Sequence, residues 1–128
     1  MFVAEVKNYS SAGDQGSEYR LFLAKCYRIE TYSPAMYEHY VWLTWAPFLV
    51  SSWKELITPE FVAAAVEGSD ESQSIALGSS NLSEESVEKV ASKLMIVVLS
   101  ERQVEFLSLH GDELLNVKQA LLEIRDGL

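Results

Sequence analysis

Glu5 and Lys7 stand two residues apart in the stretch FVAEVKNYSS, residues 2–11, whose apolar residues read as a strand. Residues two apart on a strand project to the same face, so the carboxylate and the ammonium share one side while Val6 points to the other. That pairing has a chemical use. The carboxylate can hold Mg²⁺ through its oxygens, and the ammonium can orient or deprotonate the water that attacks a phosphodiester, with the cation absorbing the developing charge. A single carboxylate does not hold a divalent ion tightly enough for hydrolysis, so a second oxygen donor has to come from elsewhere.

The elements around this pair must position it. Phe2, Val3, Ala4 and Val6 predict a strand over residues 2–8 that is buried on much of both faces. The loop SSAGDQGS, residues 10–17, comes next, and Ser17 or Asp14 can cap the helix after it with a side-chain oxygen. From Glu18 to about Thr31, the residues Tyr19, Phe22, Leu23, Cys26, Tyr27 and the nearby Ile29 recur near helical spacing. This predicts an amphipathic helix with Arg20, Lys25, Arg28 and Glu30 turned outward, closed by Ser33-Pro34. The run HYVWLTWAPF, residues 39–48, then has the β-branched and aromatic content of a central strand, and Pro47 marks its end. Two strands joined by such a helix form a βαβ unit.

Ser52 with Glu55 matches a capping box, and Thr58-Pro59-Glu60 is a helix start with Thr as cap and Pro in the first turn, predicting a short helix over about 59–66. Residues 67–83, EGSDESQSIALGSSNLS, are rich in Gly, Ser and acids, with Ile75 and Leu77 as the apolar residues that weigh in the reading, and are expected to form a flexible acidic, Ser-rich loop. Ser83 caps a helix to about Lys93, and LMIVVLS, residues 94–100, is a further buried strand. VEFLSL, within residues 101–109, alternates like a strand but is read as helix; periodicity alone does not arbitrate so short a run. His110-Gly111 ends it and Asp112 caps a last amphipathic helix, which Leu114, Leu115, Val117, Leu121, Leu122 and Ile124 build to about Arg125. The order predicts an α/β fold, a three- or four-stranded mixed or parallel sheet flanked by helices with a βαβ unit at the N-terminus, as one domain over residues 1–128.

FVAEVKNYSS, the loop, the amphipathic helix and HYVWLTWAPF together resemble the second half of the PD-(D/E)XK nuclease core, over about residues 2–50. There, a strand carrying E-x-K leads through a helix into the next strand. The resemblance implies a metal ligand at Glu5 and a water-activating base or charge stabiliser at Lys7. The family also places an acid, usually Asp, on a strand upstream. Only Met1 to Ala4 precede Glu5, so that ligand is expected to be missing, and Glu18, or else Asp14, would have to stand in for it.

Composition weighs against tight nucleic-acid binding. The formal charge is −9, with seven acids and five bases in residues 1–64 and twelve acids and five bases in residues 65–128. Such a field repels phosphate backbones unless a cation intervenes, and it suits an acidic inhibitor that presents the second half to a basic partner. The single Cys26 lies in the apolar helical pattern and reads as a small buried hydrophobe; a lone cysteine suits a cytoplasmic protein. His39 and His110 have no ligand-spaced neighbours, and neither a P-loop nor a dinucleotide fingerprint occurs, so no cofactor is expected beyond Mg²⁺ in the nuclease reading. No apolar run reaches the roughly 20 residues of a membrane helix.

The aromatic residues Tyr37, Tyr40, Trp42, Trp45, Phe48 and Trp53, with Tyr32 nearby, exceed what a small core readily hides. Together with the open edges of a short sheet, they predict an interface between copies of the chain. The leading expectation is therefore a small acidic protein acting by binding or self-assembly, as a homo-oligomer, and a non-catalytic relative of the nucleases it resembles. A Mg²⁺-dependent nuclease is the alternative.

Overall fold

A computed structural model of the chain describes residues 2–7, 15–44 and 54–98. The fold is α/β. Strand β1 (Phe2–Lys7), helix α1 (Gln15–Tyr32) and strand β2 (His39–Thr44) are followed by α2 (Pro59–Glu67), α3 (Asp70–Ala76), α4 (Glu84–Lys93) and β3 (Leu94–Val98). The expectations for Trp45, Phe48 and Trp53, for the capping box at Ser52, and for everything from residue 99 onward lie outside the described residues.

The three described strands are all parallel, in the order β1-β2-β3, so β1 and β3 are the sheet's edges among the described residues. Pairing sets the faces. Val3, Glu5 and Lys7 fall in line with Tyr40, Trp42 and Thr44, and these with Leu94, Ile96 and Val98. This face receives the helices. Trp42 is fully buried between Tyr19 at 5.4 Å, edge-on, and Phe22 at 5.4 Å, so α1 lies directly on the central strand. Burial of a side chain the size of Phe22 or Leu23 stabilises by about 2 kcal/mol, and such aromatic contacts add about 1 kcal/mol more.

Three expectations are corrected. Helix α1 begins at Gln15, so Ser17 stands inside its first turn and is not the cap, and Asp14 lies outside the described residues. Gln15 is itself buried and accepts a hydrogen bond from Trp42 Nε1 at 3.1 Å, a tertiary contact that helical periodicity does not encode. β1 is not buried on both faces: Phe2 is 63% exposed and Ala4 is exposed, because the described helices cover one face only.

The third correction concerns residues 67–83. The stretch holds α3, because Ser69 accepts from the Ser72 amide at 3.1 Å, Asp70 and Glu71 sit in the first turn, and Ser72 and Ala76 are buried. Its ends are tied as well. Arg28 donates to the Ile75 carbonyl at 3.2 Å, and Gln73 Nε2 donates to the Glu67 carbonyl at 2.8 Å. The other caps are where the sequence puts them: Thr58 accepts from Phe61 N and Ser83 from Ser86 N. Replacing Ser69 by Ala should destabilise by about 1 kcal/mol in urea titration and speed amide exchange in Asp70–Ala76 while leaving α1 protected.

Candidate functional site

Glu5 and Lys7 occupy alternate positions of β1, in register with Trp42 and Thr44, and Glu5 lies on the helix-covered face. The pairing of β1 with β2 fixes this placement, because a shift by one residue would send Glu5 to the opposite face. Glu5 is largely covered, and Lys25 of α1 sets its Nζ 3.8 Å from the carboxylate. Glu18 sits in the first turn of α1 and is partly exposed. Among the described residues, no group of three His, Cys, Asp or Glu side chains gathers to hold a metal ion. Mg²⁺ demands several oxygens in octahedral array, and a carboxylate set against an ammonium group does not supply them. The described residues do not fit the ion that the family resemblance implies.

The aromatic residues divide. Tyr40 and Trp42 are fully buried, so both belong to the core and not to the interface expected of them. Tyr37 is partly buried against that core. His39 is exposed. Cys26 is buried, as its place in the apolar stripe implies, and burial, followed by the nearby Glu5 carboxylate, pushes its thiol up, so it is held protonated.

A cluster that the sequence reading missed lies at the sheet. Glu30, expected to face outward, is 3% exposed. Its Oε2 accepts from the Tyr40 hydroxyl at 2.6 Å, and Lys93 Nζ donates to both carboxylate oxygens at 2.9 Å. The same ammonium lies 5.9 Å from the Tyr40 ring centroid. Burial works to raise the Glu30 carboxyl, but the hydrogen bonds from Lys93 and Tyr40 and the Lys93 charge outweigh it and leave the group below the usual glutamate range. Burial, then the bond to Glu30, pushes the Tyr40 phenol far up. Neither group is poised for proton transfer near neutrality; the cluster is an ion pair with a fixed hydrogen-bond donor. The signal for it was present in the sequence. Glu30 falls on the stripe Leu23, Cys26, Tyr27, seven residues after Leu23, where an apolar side chain would otherwise stand.

Clefts lie between the helices. One of about 320 Å³ is bounded by Arg20, Leu21, Ala65, Ser69, Glu71 and Ser72, and another of about 240 Å³ is lined by the apolar Ala63, Leu82 and Val87 together with Glu60, Glu84 and Glu88. Beside the first, the Arg20 guanidinium lies 5.3 Å from the Phe61 ring centroid. No described helix is long and apolar enough to cross a membrane. Neither a protein-family model, nor a curated protein, nor a solved structure matches the chain.

The cluster fixes the sign of a pH effect. Because the folded carboxyl of Glu30 is lowered, its stabilisation is present above the ordinary glutamate pKa of about 4.3 and is lost as pH falls through the lower folded value. Replacing Lys93 by Met leaves the buried carboxylate without its cation and should destabilise by about 3 kcal/mol at neutral pH. Urea titrations of the two proteins should converge on acidification, since protonated Glu30 needs no counter-charge.

Proposed function

We propose that this chain acts by binding, as a weakly associating homo-oligomer, and that it is a relative of the PD-(D/E)XK nucleases without a complete catalytic centre of its own. The observation that carries this reading is the gathering of exposed apolar side chains at one end of the sheet. Phe2 opens β1, Tyr32 at the end of α1 is 76% exposed, and Met36 in the turn before β2 is 56% exposed. Topology brings them together, because Phe2 pairs with His39, three residues after Met36. In the turn that carries Met36, Ala35 takes φ 65°, a left-handed conformation that a non-glycine residue adopts at a cost of about 1–2 kcal/mol.

Charge favours a second copy as the occupant. Two molecules carrying −9 repel each other least where their surfaces are neutral, and residues 31–37, TYSPAMY, contain no charged side chain. A two-fold contact would set this corner against itself. The patch is small, so the association is of the weak, concentration-dependent kind. The parallel βαβ unit with Glu5 and Lys7 two residues apart in its first strand supports the nuclease kinship, and the Lys25 ammonium beside Glu5 supports its non-catalytic form.

Light scattering should give a mass that rises with concentration, and Met36→Glu should weaken the assembly by at least about tenfold, since a charge in an apolar contact costs more than about 1.4 kcal/mol. A mass that stays monomeric at every concentration, or an assembly indifferent to both Met36→Glu and Tyr32→Ser, overturns this. Cleavage of DNA in the same samples that needs Mg²⁺ and vanishes in Glu5→Gln would instead establish the catalytic alternative.

A further inference from the structure

The groove between α2 and α4 has an apolar floor and an acidic rim. Ala63, Leu82 and Val87 line it, Val87 buried and the other two half-buried, and Glu60, Glu84 and Glu88 stand exposed around them. Two of the acids have a local role, since Glu60 and Glu84 sit in the first turns of α2 and α4, where a helix favours negative charge. Glu88 has no such role. It stands four residues after Glu84, a spacing that sets like charges against each other along one side of the helix.

Among the described residues, no cation neutralises this rim. Residues 59–93 contain seven acids and two bases, and both bases are engaged elsewhere: Lys89 pairs with Glu85 at 2.9 Å, and Lys93 with the buried Glu30 at 2.9 Å. A metal ion does not fit either, because no group of three acidic side chains among the described residues gathers to hold one. The counter-charge that suits separated carboxylates over an apolar floor is a large organic cation on a hydrocarbon stem. Size and charge then choose its carrier. At about 240 Å³ the groove is smaller than the roughly 300–1,000 Å³ of small-molecule sites, and it suits one long side chain delivered by another protein. Arginine fits it better than lysine. Its planar guanidinium is weakly hydrated, so an apolar surround costs it less, and it offers five donors to carboxylates on different sides. A second copy is disfavoured as the source, because two chains of −9 repel each other most where the surface is acidic.

We propose that the groove between α2 and α4 is a docking site for a basic protein partner, which seats one arginine there. The arginine methylenes lie on Ala63, Leu82 and Val87, and its guanidinium sits among Glu60, Glu84 and Glu88. The site does not depend on association through the corner of Phe2, Tyr32 and Met36.

A blocked leucine–alanine peptide carrying arginine, titrated into the isotope-enriched full-length chain, tests this. Its control is the same peptide with citrulline, which keeps the shape of arginine and loses the charge. The amide signals of Ala63, Leu82 and Val87 should move with the arginine peptide and stay in place with the citrulline one. Glu88→Gln should weaken binding about two- to fivefold, the range of an exposed ion pair. Glu67→Gln, on α2 but outside the groove, should leave binding unchanged. Groove signals that do not move with the arginine peptide overturn the proposal, as does equal binding of the citrulline peptide. So does equal weakening by Glu67→Gln and Glu88→Gln, which would reduce the attraction to net charge alone.

Discussion

The carboxylate of Glu30, buried beneath α1 and held by Tyr40 and Lys93, is the constraint on which the arrangement of this molecule turns. It joins three elements. Glu30 lies in the last turns of α1, Tyr40 near the start of the central strand, and Lys93 at the end of α4, where the helix passes directly into β3. A buried charge tolerates few geometries, because each lost partner leaves desolvation uncompensated at several kcal/mol, whereas an apolar contact degrades gradually. The cluster therefore fixes where α1 lies along the sheet and where α4 gives way to strand. Its net contribution to stability is smaller than its effect on placement, since the attraction between the charges is largely offset by removing them from water.

Around that fixed point the aromatic core does the larger share of stabilising. Trp42 meets Tyr19 and Phe22 on one side and gives its indole proton to Gln15 at the start of α1. Tyr19 in turn donates to the Leu56 carbonyl at 2.7 Å, which brings the turn before α2 onto the same helix. Tyr27 accepts from the Ser83 amide at 2.8 Å and does the same for the start of α4. Tyr19 and Tyr27 thus work as apolar bodies whose polar ends anchor other segments of chain. Glu5 and Lys7 inherit their position from this packing, because β1 has no described partner strand other than β2 and follows its register.

Much of the fold was legible because local rules and tertiary packing agree. Thr58-Pro59, Ser83 and the apolar stripe of α1 declare their helices, and the runs at 39–44 and 94–98 are too β-branched and aromatic to be anything but strand. The failures share a cause. Gln15 and Glu30 are polar by type, and type alone turns Glu30 to solvent, although its spacing places it on the buried stripe, and leaves Gln15 in a loop, whereas each is buried by a partner far along the chain. In α3 the composition argued for a loop, yet a serine cap, two acids in the first turn and side chains from α1 suffice for two turns of helix. For the candidate site, the spacing of Glu5 and Lys7 carries no information about Lys25, which stands 18 residues beyond Lys7 and sets its ammonium beside Glu5.

Glu30 is an ionised, buried tether and not a solvated surface acid, and its carboxyl carbon can be followed directly by NMR while the folded protein is acidified. A tether of this kind titrates with a midpoint below the ordinary glutamate range, and the Tyr40 hydroxyl signal shifts at the same pH. A Glu30 midpoint at or above the ordinary glutamate range, or a Tyr40 signal indifferent to it, would contradict that role.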